Sequence, residues 1–346
     1  MGELNELQLK RCIKERKFSP VYLFYGEESY LKKVYCDMVV SAVTDSSLRD
    51  FNLHIFQGKD TSLDDIYAAN LNMPIMSEYS CVVVYDYPFE NMSETDLLKF
   101  DELMSDLNES CVLLFVMNET NSKGAAMFKQ AVKRISQVGS VVNFEKKTRS
   151  DIAKILMSGC KKRGSSMPNF VANYLIMCAG DDLTLLLNEV EKLCAYAGER
   201  EITKEDVDLI ATKTLESRVF DLSNALMRND SKRSFEIVEN LYNQKEKPEN
   251  ILAVLSSSYI DMYRVKVAVE NSAQPSDVAN YYEYNKKNIW KLDKSHSLAK
   301  KMSLEQLRRC LNVLREADIK IKSTVADKRV VIESTLIKLM IISSGN

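Results

Sequence analysis

Residues 111–117 read CVLLFVM and residues 81–85 read CVVVY. Both runs are continuously apolar and rich in β-branched or aromatic side chains. A strand with one wet face would alternate, so such runs predict central strands covered on both sides, as in a parallel sheet. Residues 21–25 (VYLFY) form a further compact apolar strand, followed by a helical stretch from Ser29 to about Val43. Residues 53–57 supply another strand with a short helix at 62–70 after it, and residues 141–144 a last strand. Helices near 94–106 and 124–135 fill the remaining connections. This alternation predicts a doubly wound α/β unit over residues 1–145.

Beyond the polar stretch 145–150 the strand signals stop. Segments 151–163, 168–178, 181–197 and 204–211 carry helical patterning, and Thr203 with Asp206 three residues on makes a partial capping box. These helices predict a small domain over 146–212. Helical periodicity then continues from 213 to 346 without a strand, predicting a larger all-α domain. No repeat or low-complexity segment interrupts the chain. Ten Gly and six Pro in 346 residues agree with a helix-rich protein of few loops.

The formal net charge is −2, which excludes a generally basic nucleic-acid coat protein but leaves room for a local basic patch. The longest apolar run, residues 111–117, is far below the ~20 residues that span a bilayer. The opening MGELNELQLKR lacks a signal-peptide hydrophobic segment, and Glu6 stands where a myristoylation motif wants Ser or Thr. Eight Cys without a Cys-x-x-Cys pair read as reduced core thiols. A soluble, cytoplasmic protein with no membrane contact is expected.

Known chemistries were sought in turn. A phosphate cradle needs Gly-x4-Gly-Lys-Ser/Thr. Only Gly26-Glu27-Glu28 separates the first long strand from its helix, and two carboxylates there would repel phosphates. The sole Gly-Lys pair, Gly58-Lys59, lacks the rest of the motif. Strand ends offer Asp86-Tyr87 and Asn118-Glu119, neither of them the acid pair of a hydrolytic metal site, so Asp86 reads as a turn former. Gly-x-Gly-x-x-Gly and Gly-x-Ser-x-Gly are absent, and two His leave little for metal or triad chemistry. The carboxylate pairs Asp64-Asp65, Asp181-Asp182 and Glu199/Glu201 fall at helix starts or turns. No catalysis, cofactor or metal is expected.

Two features remain. Residues 71–80, LNMPIMSEYS, place Met73, Pro74, Ile75 and Met76 in a connection where polar residues are usual. Exposed on a loop, they would suit anchoring into a partner's pocket. Tucked under the sheet they would be a satellite core, which periodicity alone favours. Separately, residues 286–346 carry a net +8 against −10 for the rest. The densest part, NKKNIWKLDKSHSLAKK (285–301), sets Trp290 among Lys286, Lys287, Lys291 and Lys294. Such a cluster can stack on a base and hold its backbone, or be a solvated helix face with Trp290 in the core.

In succession, several blocks resemble the delta-subunit family of the bacterial DNA polymerase III clamp loader. PVYLFYGEESYL (20–31) is similar to that family's opening strand–turn–helix, although the family typically has Pro where Ser29 stands. DFNLHIFQGKDTSLDDIYAAN (50–70) and LNMPIMSEYSCVVVYD (71–86) follow its second strand, helix, loop and third strand. AGDDLTLLLNEVEKL (179–193) and ITKEDVDLIATKTLESRVFDLSNAL (202–226) look like its lid helices and passage to the collar, and residues 229–266 like the first part of that collar.

The resemblance covers nearly the whole chain. It implies an AAA+-like α/β domain without a P-loop (1–145), an all-α lid (146–212) and an all-α collar (213–346). It further implies a subunit that opens the sliding clamp, the beta subunit, without hydrolysing ATP. Its partners would be the loader's ATPase and delta-prime subunits and primer-template DNA. The family's clamp-binding pair falls on Ile75 and Met76, beside Met73 and Pro74; Ile-Met departs from the commoner aromatic or Leu. A divergent ATPase motor or AAA+-type nucleotide hydrolase is the alternative, and a free-standing DNA-binding scaffold a third reading.

Overall fold

A computed structural model describes residues 2–118, 126–284, 289–323 and 327–345. The chain divides into two compact units, Met1–Ile152 and Ala153–Asn346.

In the first unit the strands are β1 (Gly2–Leu4), β2 (Val21–Tyr25), β3 (Leu53–Gln57), β4 (Ser80–Tyr85), β5 (Cys111–Val116) and β6 (Ser140–Asn143). The helices are α1 (Glu6–Glu15), α2 (Ser29–Val43), the single turn α3 (Arg49–Asn52), α4 (Leu63–Leu71), α5 (Glu94–Ser105) and α6 (Ala126–Val138). The strands form one parallel sheet in the order β1-β6-β2-β5-β4-β3. All six β5 residues are buried, as the unbroken apolar run predicts for a strand covered on both faces.

Alternate side chains serve opposite faces. Leu23, Val82, Val84, Leu113 and Phe115 join a core with Ile66 of α4, Phe100 of α5 and Phe128 of α6. Phe89, in the connection after β4, meets Phe100 and Phe115 edge to face at centroid distances of 5.6 and 5.2 Å. On the other face Phe24 packs against Phe144, which also meets Tyr35 of α2.

Several helix starts are capped, that at Thr203 as the sequence suggests. Ser62 with Asp65, Ser93 with Asp96 and Thr203 with Asp206 complete capping boxes. In the first unit β1, α1 and the single turn α3 escaped the sequence reading. A three-residue strand is too short for periodicity to register. It exists because its backbone pairs with β6, Glu3 opposite Val141.

The second unit contains α7 (Arg149–Lys162, which starts at the unit boundary), α8 (Asn169–Ala179), α9 (Leu183–Ala197) and α10 (Lys204–Ile210). There follow α11 (Leu215–Met227), α12 (Ser231–Asn243), α13 (Pro248–Glu270), α14 (Pro275–Tyr281), α15 (Ile289–Ala299), α16 (Leu304–Ser323) and α17 (Lys328–Ser343). Among the described residues of this unit the only strand-like pairing is an isolated bridge between Ser166 and Glu201. Val171, Leu175, Leu186, Val190 and Val207 are buried among α8–α10. A second core gathers Leu222, Leu255, Tyr259, Leu314 and Leu336 from α11, α13, α16 and α17. No described helix is long and apolar enough to cross a membrane.

Candidate functional site

The connection from α4 to β4 is tied down at both its start and its middle. Buried Asn70, near the end of α4, accepts at its side-chain oxygen from the Asn108 amide at 3.1 Å. The Asn108 side chain donates back to the Asn70 carbonyl at 3.1 Å. Farther along, Asn52 at the end of α3 is fully buried, and its carboxamide grips the backbone of Ile75. The Ile75 amide donates to Asn52 Oδ1 at 2.7 Å, and Asn52 Nδ2 donates to the Ile75 carbonyl at 2.8 Å. Nearer β4, Arg16 faces Glu78 at 3.7 Å and Phe18 meets Tyr79 edge to face at 5.8 Å.

These bonds hold the loop backbone at Asn70 and Ile75 without folding its apolar side chains inward. Met73 is 74% exposed, Ile75 50% and Met76 88%, with Pro74 half-buried. The satellite-core alternative, which periodicity alone favours, therefore does not hold: Met73, Ile75 and Met76 lie at the surface. Met76 takes a left-handed backbone, φ 51°, which a non-glycine residue adopts only when its surroundings impose it. Phe51 and Leu71, each next to an anchoring asparagine, are exposed as well. The result is an apolar surface on a fixed backbone, the arrangement that suits docking.

The turn after β2 differs from a phosphate cradle in a way the sequence did not reveal. Lys32, one turn into α2, is completely buried. Its ammonium donates to the Gly26 carbonyl at 2.8 Å and to the Met117 carbonyl at 2.5 Å, joining the ends of β2 and β5. Glu28, expected to stand where phosphates would sit, is instead turned into the protein. It is buried, its amide donates to the Phe144 carbonyl at 3.0 Å, and its carboxylate accepts from the Lys147 amide at 3.4 Å. Gly26 lies so close to β6 that an added Cβ would stand 2.4 Å from the Phe144 oxygen. Asp86, read from the sequence as a turn former, accepts from the Asn118 amide at 2.5 Å, a long-range bond that ties the end of β4 to the end of β5. The described residues hold no group of three potential metal ligands.

The basic segment is only partly described. Lys286 and Lys287 lie outside the described residues, and Trp290 and Lys291 are placed only as positions on α15. Lys294 sits over the Phe220 ring at 4.2 Å, beside a cavity of about 260 Å³ also lined by Glu216, Ser257 and Asp261. Sequence reasoning missed Asn52 and Lys32 because their partners lie 23 and 85 residues away.

Family models and relatives agree with this architecture. A model described as DNA polymerase III, delta subunit, matches residues 22–144, and one for the C-terminal domain of that subunit matches 216–339. A model described as a middle domain matches 148–209. The DNA polymerase III subunit delta of Bacillus subtilis (strain 168) is 24% identical over 337 residues, 95% of each chain. The probable DNA polymerase III subunit delta of Aquifex aeolicus (strain VF5) is 23% identical, covering 86% of this chain and 85% of its own. The solved structure of a Bacillus subtilis DNA clamp loader delta protein superposes with a TM-score of 0.60 at 21% identity, covering 96% of this chain and 99% of that one. With the two delta-subunit models taking up most of the sequence, the chain belongs to the delta-subunit family of the DNA polymerase III clamp loader.

Proposed function

We propose that this chain binds the sliding clamp through Met73, Pro74, Ile75 and Met76 and holds one clamp interface open for loading onto primed DNA. The observation that carries this reading is the exposure of Met73, Ile75 and Met76 on a loop whose backbone Asn52 fixes. Transfer of Ile75 and Met76 from water into an apolar pocket is worth roughly 3–6 kcal/mol before ordering costs, and a prefixed backbone lowers those costs. The work is conformational: a subunit that binds the open clamp better than the closed one shifts the clamp toward opening.

ATP binding and hydrolysis fall to sister ATPase subunits. Supporting this division, the Lys32 ammonium is engaged by two backbone carbonyls and the turn at Gly26 is pressed against β6, leaving no cradle of the P-loop kind. Titration with ATP is expected to give no saturable heat; saturable binding would favour the divergent-motor reading.

The three-part division proposed is an AAA+-like domain (1–145), a lid (146–212) and a collar (213–346) that assembles with the ATPase and delta-prime subunits in the cytoplasm. Lys286, Lys287, Trp290, Lys291 and Lys294 are proposed to contact primer-template DNA within the complex, on the strength of the basic segment's composition. The test is reconstitution. With the ATPase and delta-prime subunits of the same organism, clamp should accumulate on primed circular DNA only when this chain is present. Equal loading in its absence would refute the proposal.

A further inference from the structure

We propose that Asn52 is a positioning residue for clamp binding, presenting Ile75 and Met76 in the conformation that the clamp accepts; this rests on the clamp-binding reading above. Asn52 lies on α3, before β3, yet its carboxamide makes a two-point bond to the backbone of one loop residue, accepting from the Ile75 amide and donating to the Ile75 carbonyl. The bonded residue is the first of the proposed anchoring pair. Its successor, Met76, holds a left-handed φ of 51° that an unrestrained loop would abandon. Asn52 is fully buried whereas the side chains it presents are not. The polar group thus sits beneath the loop and the apolar groups above it. In water such a segment would sample many conformations, and each would have to be given up on docking. Holding the Ile75 backbone in advance removes much of that loss.

The test uses the full chain, the sliding clamp of the same organism and pH 8. Asn52→Ala should weaken clamp binding about tenfold, the scale of two backbone hydrogen bonds. Asn52→Asp, which has the same shape but cannot donate to the Ile75 carbonyl, should weaken it as well. In an Ile75→Ala/Met76→Ala background, Asn52→Ala should cost nothing further. Without clamp, hydrogen exchange of segment 72–79 should quicken in Asn52→Ala while segment 80–85 keeps its protection.

If Asn52→Ala binds like the wild type while Ile75→Ala/Met76→Ala does not, the loop reading stands and the role given to Asn52 is wrong. A full Asn52→Ala penalty in the loop-mutant background, or lost protection in 80–85, would make Asn52 a general structural residue and overturn the proposal. Wild-type affinity in Ile75→Ala/Met76→Ala would remove the loop reading and this role with it.

Discussion

Lys32 and Gly26 stand six residues apart, and the ammonium of the first donates at 2.8 Å to the carbonyl of the second, closing the turn between β2 and α2 from within. The same ammonium reaches the Met117 carbonyl at the end of β5, so one buried cation joins two neighbouring strand ends. In a phosphate-binding loop a lysine near this place would face the nucleotide. Here it faces protein.

Lys32→Met should therefore destabilise the first unit by about 2–4 kcal/mol, because two charge-assisted bonds disappear and their carbonyls lose a donor. The midpoint of urea unfolding should fall, and ATP binding should not appear. An unchanged or higher midpoint would mean that the ammonium is replaceable by apolar packing.

A second prediction concerns acid. Both terminal nitrogens of the Arg200 guanidinium donate to Asp206, at 2.6 and 2.8 Å, and this pairing, joined by the bonds from Thr203, holds the carboxyl well below its ordinary value of 3.8. A carboxyl depressed in the folded state adds stability above its unfolded value and loses it as pH falls. Asp206→Asn should unfold more readily than the wild type at pH 7. Its deficit should shrink progressively below about pH 4. A deficit independent of pH would show that charge plays no part.

Thiol chemistry separates one cysteine from the rest. Cys12 is partly accessible, and the other seven are buried. Burial pushes the Cys36 thiol up to about 11 and those of Cys160 and Cys310 to about 12. With a thiol-reactive dye at pH 8, the native protein should release one equivalent quickly and the remainder only on unfolding. Cys12→Ser should abolish the fast phase; several fast equivalents in that variant would contradict the burial described.

Much of the architecture was readable because it rests on local patterns. The runs CVVVY and CVLLFVM announce strands buried on both faces, VYLFY announces a further strand, and Thr203 stands three residues before the acid that completes its cap. What escaped was set by distant partners. β1 exists only through its pairing with β6. Lys32, within SYLKK, looks like one more surface lysine until the end of β5 is brought beside it. Asn52 has no motif at all; its meaning comes from Ile75. The apolar loop drew attention by composition, yet its exposure depends on those same long-range bonds.

The most direct test is the affinity of the purified chain for the sliding clamp of its own organism, compared with Ile75→Ala/Met76→Ala. The substituted side chains are exposed, so the melting temperature should stay within the small range of surface changes. Binding should weaken by ~100-fold or more, the scale of two apolar anchors. A folded double mutant that binds the clamp as tightly as the wild type would contradict the account.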